Sequence, residues 1–414
     1  MILRARVILP ISAPPIEDGA IIINEGKITR VTPFIDLKPN AREKIIDLGD
    51  VAILPGLINA HCHLDYTDMA GQLPPPRAFT DWIASITAAK TGWCYSDYAS
   101  SWLNGAHQLL SSGVTTVADI EAMPDLLPEV WLATPLRVFS FLEMTGILSR
   151  RKPREILAEA VDKIGALKHP RNRAMLSPHA AYSTLPELLR RTATVARRRQ
   201  WRVSTHIGES EQEFEMFQSA GGKMHQWLGR NGRDNSDCGR GSPVAHFARN
   251  KLLGENVLAI HVNYLARGDA TLLAKNRTHV VHCPRSHDYF KHTPFQRQRL
   301  ANAGVNLCLG TDSLATTRQT GKEKPRLNLF AEMRLLADRD PSVSPATILQ
   351  MATINGARAL GQTTQLGQLA KNAAADLIAI PFRGKTANVF EAIIEHSGPI
   401  HAGMIAGNWT VPPP

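Results

Sequence analysis

Apolar positions along this chain change their rhythm twice. Up to about residue 50 they alternate with polar ones in short runs, "RARVILP", "GAIIINEG" and "KITRVTP", with turn residues between. A period of two predicts β-strands. The same texture returns near the other end in "DLIAIPF" and "GMIAGNWTV". Between these ends lie eight strand-like runs: "GLINAHCH" (56–63), "VTTVAD" (114–119), "LRVFSFLE" (136–143), "AMLSPHA" (174–180), "WRVSTH" (201–206), "VLAIHV" (257–262), "HVVHCP" (279–284) and "VNLCLGTD" (305–312). Helical spacing separates most of them, at 97–112, 153–168, 185–199, 266–275 and 295–303, and more helix follows at 326–338 and 344–360. Strands alternating with helices predict an α/β protein built on a parallel (β/α)8 barrel.

The flanking strands are expected to form a small β-sandwich from both chain ends, residues 1–53 and 365–414, around a barrel of residues 54–364. One segment breaks the alternation. Residues 219–245 are rich in Gly, Asn, Asp and Arg, and are expected to form a lid over the barrel mouth rather than a disordered insert.

Composition narrows the reading. The chain has 414 residues, 43% of them apolar, enough for one large barrel. The net charge of +10 gathers partly in "RRKPR" (150–154) and "ARRRQWR" (196–202), near helix ends where arginine complements the macrodipole. With no nucleic-acid motif beside it, this charge reads as a solvated face, though it also suits an anionic substrate. No run approaches the ~18 apolar residues of a membrane span. Five cysteines without CxxC spacing speak for a reducing compartment, so a cytoplasmic enzyme with neither nucleic-acid nor membrane partner is expected, its oligomeric state open.

The candidate chemistry sits where such barrels place it, at the C-terminal strand ends. Those ends carry His61 and His63, His179, His206 with Glu209, His261, His282 and Asp312. Along a strand, i and i+2 share a side. His61 and His63 therefore point together and Cys62 points away, as a small buried apolar group rather than a ligand. Adding His206 and Asp312 makes three nitrogens and one oxygen, a set suited to one Zn²⁺, with Fe²⁺ as alternative, and too nitrogen-rich for Mg²⁺ or Ca²⁺. Such an ion lowers the pKa of a water it holds from ~15.7 toward ~7. Glu209 is placed about one turn into the following helix as a proton shuttle, with Glu211 and Glu213 as helix-surface acids. His261 is placed to stabilise the developing charge. His282, Arg285 and Trp82 are candidate substrate contacts, Arg285 for an anionic group and Trp82, like Trp93, for ring stacking.

These stretches resemble the amidohydrolase superfamily, in particular its cytosine-deaminase-like and chlorohydrolase-like branch. "LPGLINAHCHLD", "SPHAAYST", "THIGES", "AIHVNYL", "HCPRS" and "LGTDSLAT" match its strands in order, and "ATINGARALG" resembles its closing helix. The resemblance implies that His61, His63, His206 and Asp312 are metal ligands. It makes Glu209 the proton shuttle and has His261 orient the hydrolytic water, with Asp312 accepting a proton from it. No lysine ends the fourth strand, which implies a single metal. His179 in "PHAAYST" corresponds to a histidine that touches the nucleoside in adenosine-type deaminases. Two departures are visible. His287 stands after Ser286 where related nucleoside deaminases often read "SN", and "FTDWIASITAAKTG" offers Asp81 and Lys90 in place of a ribose-gripping glutamate. "HCHLDYTD" with "FTDWIASI" is similar to aminofutalosine deaminases.

The expected function is therefore hydrolytic deamination of an amino-substituted heteroaromatic base or nucleoside-like small molecule. A triazine-type chlorohydrolase or aminohydrolase is the rival within the superfamily. A non-catalytic binding barrel would lack at least one ligand, and all four are present.

Overall fold

Residues 39–43, 75–76, 148–150 and 320–323 apart, the computed structural model describes the whole chain. Its strands form two sheets that follow the two rhythms of the sequence. The chain opens with β1 (Ile2–Ile8), β2 (Ile16–Asn24), β3 (Lys27–Pro33), β4 (Ile45–Asp47) and β5 (Val51–Pro55). Next come β6 (Leu57–Cys62), β7 (Val114–Glu121), β8 (Arg137–Met144), β9 (Arg173–Pro178), β10 (Val203–Ile207), β11 (Val257–His261), β12 (His279–His282) and β13 (Leu307–Leu309). The chain ends with β14 (Leu377–Pro381), β15 (Ala402–Ile405) and β16 (Asn408–Val411).

The middle eight strands pair in chain order from β6 to β13. Their first and last members are drawn together at the top. The Thr311 and Asp312 N–H groups donate to the His61 carbonyl at 3.0 and 3.1 Å, and Asn59 Nδ2 donates to Thr311 Oγ1 at 2.8 Å. Gly310 makes this approach feasible, since a Cβ there would lie 2.8 Å from the same carbonyl oxygen. The result is the nearly closed parallel barrel that the alternation predicts. Inward residues such as Ile58, Ala118, Phe139, Phe141, Ile260 and Val281 fill it, each large apolar side chain contributing roughly 1.5–3 kcal/mol on burial. Outward residues pack against the helices.

The other sheet runs β16-β15-β14-β5-β1-β2-β3, with β4 on β1. Here β5 pairs antiparallel with β14 from Val51–Pro381 to Pro55–Leu377, so the two chain ends share one sheet. Gly56 follows at once and donates to the Asp376 carbonyl at 3.0 Å, launching β6 directly from this sheet. No helix among the described residues is long and apolar enough to cross a membrane.

Two expectations need correction. Residues 219–245 are not an irregular lid. They carry a helix over Gly222–Arg230, whose Met224 and Leu228 are buried, and the start of another over Pro243–Arg249. Between these, the buried Arg233 pairs with Asp237 at 2.7 Å and donates to the Tyr182 carbonyl at 3.0 Å, which anchors the segment. The helix predicted over 344–360 divides into Pro345–Met351 and Ile354–Ala359, where the Thr353 hydroxyl bonds back to the Leu349 carbonyl. Of the basic runs, Arg150 lies outside the described residues, and Arg197–Arg199 end the helix Pro186–Arg199 as expected.

Candidate active site

Strand alternation decides which side chains reach the barrel mouth. On β8, Phe139 and Phe141 fill the interior and Glu143, two residues on, lines the cavity above them. On β13, Cys308 faces in and Asp312, four residues later, does the same. His61 and His261 break the rule. Ile58 and Ala60 face in, so strict alternation would turn His61 out. The β6–β7 register shifts between Asn59 and Cys62, and His61 joins the mouth while Cys62 packs outward among the helices. On β11, Ile260 faces in, and His261 and Val262 adopt left-handed backbone, φ 70° and 50°, which swings His261 inward. Asp312 has φ 54° as well. Such conformations cost on the order of 1–3 kcal/mol each and gather where function requires them.

The four candidate ligands converge. His61, His63 and His206 can each offer an atom within 4.8 Å of the others, and His61, His261 and Asp312 do likewise. Asp312 Oδ1 lies 3.3 Å from His61 Nε2 and 3.6 Å from His63 Nε2. Its Oδ2 accepts from the Thr316 hydroxyl at 3.1 Å and lies 4.0 Å from His261 Nε2. His206 Nδ1 donates to the His179 carbonyl at 2.9 Å, leaving Nε2 with its lone pair toward the cluster. Buried His61 Nδ1 and His261 Nε2 have no hydrogen-bond partner among the described residues. A buried set of imidazole nitrogens around one carboxylate, with unsatisfied ring atoms among them, fits a transition-metal ion.

Electrostatics agree with that fit. Burial, reinforced by the neighbouring rings, drives the imidazoles toward the neutral form that binds metal: His63 and His261 well below the usual value, His206 to about 3. Burial pushes the Asp312 carboxyl up, but the His61 hydrogen bond and the nearby rings outweigh it and hold it well below the carboxylate range. Glu209 goes the other way. Burial, then the charges of Asp312 and Glu213, raise it well above an ordinary glutamate. Its Oε1 lies 3.6 Å from His261 Nε2. Opposite shifts on neighbouring carboxyls are the pattern by which active sites separate an anion from a proton donor.

The cavity over this cluster, about 290 Å³, is lined by Trp82 and His179 as expected, and by Tyr66, Lys90, Glu143 and Tyr182, which sequence reasoning did not assign. Glu143 had a signal, since it continues the Phe139–Phe141 face. Other expectations fail. Glu209 precedes its helix, which begins at Glu211 behind the cap Ser210. Glu213 is no surface acid. It is fully buried, accepts from the Gly208 and Glu209 N–H groups at 3.1 and 2.9 Å, and is pushed by burial to about 7. Glu211 is exposed as expected. His282 stays out of the mouth because Val281 and Cys283 take the inward face. Its ring stacks on Phe295 at 3.9 Å beside a separate cavity of about 470 Å³. Arg285 also lies outside the site, with Nε on Glu332 Oε1 at 2.5 Å and Nη1 on the Arg326 carbonyl. Trp93 packs on Tyr98. Residues 219–245 contribute no described lining residue to the catalytic cavity.

Comparison with known proteins adds the lineage. The model of the amidohydrolase family matches residues 52–410. The chain belongs to the amidohydrolase family. This amidohydrolase is 31% identical over 389 residues to a 5-methylthioadenosine/S-adenosylhomocysteine deaminase of Syntrophobacter fumaroxidans, covering 89% of this chain and 81% of the relative. Its fold matches Helicobacter pylori aminofutalosine deaminase in complex with methylthio-coformycin, with TM-score 0.86 at 21% identity, over 99% of this chain and 100% of that one. It also matches an adenosine deaminase from Xanthomonas campestris with bound zinc, with TM-score 0.83 at 23% identity, over 99% and 92%. The protein is thus a hydrolase of this family whose curated relatives are deaminases.

Proposed function

We propose that this amidohydrolase removes the exocyclic amino group of an adenine-type nucleoside as ammonia, using one divalent ion, zinc before iron. The observation that carries this reading is His261 Nε2 standing 3.6 Å from Glu209 Oε1 and 4.0 Å from Asp312 Oδ2, beside His61, His63 and His206. His61, His63, His206 and Asp312 would hold the ion, which supplies Lewis-acid activation of water. Glu209, kept protonated by its buried site, delivers its proton to the ring nitrogen as water adds to the adjacent carbon. His261, neutral and fixed before charge develops, stabilises the adduct, and Asp312 takes up a proton from the water. The proton held by Asp312 then passes to the amino group, which leaves as ammonia as the C–N bond breaks, while the adduct's hydroxyl returns a proton to Glu209 and becomes the ring carbonyl. His179 and Trp82 bound the space for the ring. The name of the Syntrophobacter relative supports an adenine nucleoside over a free base.

The test is ammonia release from adenine, adenosine, 5′-deoxyadenosine, methylthioadenosine and S-adenosylhomocysteine with enzyme of measured metal content. Turnover of nucleosides in proportion to bound metal is expected. Chloride release from a chlorotriazine without ammonia from any nucleoside would replace the reading with the chlorohydrolase one.

A further inference from the structure

Three histidines that the chemistry above leaves aside, His282, His287 and His292, line a second cavity of about 470 Å³. It shares no lining residue with the catalytic one. The helices Pro284–Tyr289 and Leu329–Arg339 both contribute to its wall. Such a volume suits a small organic molecule rather than a single ion. Pro284, Pro294, Leu335 and Leu336 give it an apolar side, and there His282 lies flat on Phe295.

Two polar groups of the wall want a partner. Burial holds the three imidazoles below their usual value, so each is neutral at pH 7 and carries one N–H. His282 is 4% exposed and makes no ring hydrogen bond among the described residues. Its Nδ1 is sealed off without a partner, whereas its Nε2 is not sealed. A sealed N–H is harder to leave orphaned than a sealed lone pair, so the proton belongs on Nε2, where the cavity can supply an acceptor. The second group is a charge. Three cations and two carboxylates line the cavity. Asp340 is matched by Arg297 and Asp288 by Arg339, each pair at 2.5 Å. Lys291, which is exposed, is left over with no carboxylate in ion-pair distance among the described residues.

We propose that this cavity binds a small organic monoanion, a carboxylate on a compact apolar body, with His282 and Lys291 meeting the carboxylate and the Leu335–Leu336 wall meeting the body. The proposal is independent of the deaminase reading. Inorganic phosphate would leave the apolar wall unused, and a neutral molecule would leave Lys291 unanswered. A cation would meet an unpaired lysine.

The test titrates the metal-loaded enzyme with benzoate by calorimetry and ligand-observed NMR, beside benzamide, benzylamine and inorganic phosphate. Benzoate should bind at least about tenfold tighter than the other three. His282→Phe, which keeps the stack on Phe295, should weaken benzoate about 10- to 100-fold. Lys291→Met should narrow the benzoate-to-benzamide ratio severalfold, as befits an exposed charge. Leu335→Trp fills the cavity from a half-buried position and should abolish binding. All three variants should keep kcat/KM for deamination within about threefold, since none lines the catalytic cavity. Should His282→Phe fail to fold, the other two carry the test. Equal affinity for benzamide, or no benzoate binding at all, overturns the proposal. Benzoate binding that survives Leu335→Trp but is lost in Asp312→Asn places the probe on the catalytic ion and overturns it as well.

Discussion

Two histidine clusters flank the β11 and β12 strand ends, and only one is a metal site in form. Around Asp312, the His61–His63 and His61–His206 ring centres are 5.0 Å apart, and His206–His261 are 5.4 Å apart. Around Phe295, His282–His287 and His287–His292 are also 5.4 Å apart. Burial drives both sets toward neutral imidazole, and each contains ring nitrogens without partners among the described residues. The difference lies at the centre. The first cluster surrounds a carboxylate and gathers its ligand atoms in two triads that share His61, each within 4.8 Å, whereas His282 lies flat on a phenyl ring, 3° from parallel. Histidine number and spacing do not make a metal centre; a shared anion and convergent lone pairs do.

The comparison can be broken most directly at Asp312. Asp312→Asn should lose bound metal by elemental analysis and about 10³-fold in kcat/KM. Retained metal would deny the carboxylate its deciding role. Glu209→Gln should keep its metal yet lose about 10²-fold in kcat, since it removes a proton donor and not a ligand. Coupled loss of metal would move Glu209 into the first cluster's coordination.

A smaller effect separates the clusters by pH. Glu213 braces the Gly208–Glu209 turn, and its folded value of about 7 lies above the ordinary 4.5. The folded state therefore holds more protons than the unfolded one between these values. This contribution is complete below pH 4.5 and is lost as pH rises to 7, on the order of 2 kcal/mol. Glu213→Gln should flatten that slope in denaturant titrations run at pH 5 and 7. An unchanged slope would assign it to other groups. Smallest of all, His287→Ala should leave metal content unaltered and kcat/KM within about threefold, as expected for substitutions away from the site. Loss of a metal equivalent would make the Phe295 cluster a second centre.

Much of this was legible in the sequence, for a definable reason. Strand parity is local, so His179 and His206 could be placed in the mouth from their spacing alone. The same rule applied to Phe139 and Phe141 would have found Glu143, and applied to Val281 and Cys283 would have turned His282 away. What parity cannot carry is a change of phase. His61 and His63 were set on one side by alternation, yet His61 reaches the mouth through a register shift and His261 through a left-handed backbone. Glu213 was misread because its burial depends on where the helix begins, one residue after Ser210. Lys90 depends on which way a whole helix faces, a tertiary fact. Residues 219–245 hid their helices behind a glycine-rich composition, although Met224 with Leu228, and Val244 with Phe247, carry helical spacing.

The pairing of β5 with β14 bears on synthesis as well as on shape. The strand that leads into the barrel has β1 on one edge from the start, but its other neighbour exists only when residues 377–381 have been made, more than 300 positions later. A ribosome therefore releases most of the catalytic half before the clasp beneath it can shut. Until then β5 presents one open edge, which makes the emerging chain vulnerable to mispairing just where the strand carrying His61 begins.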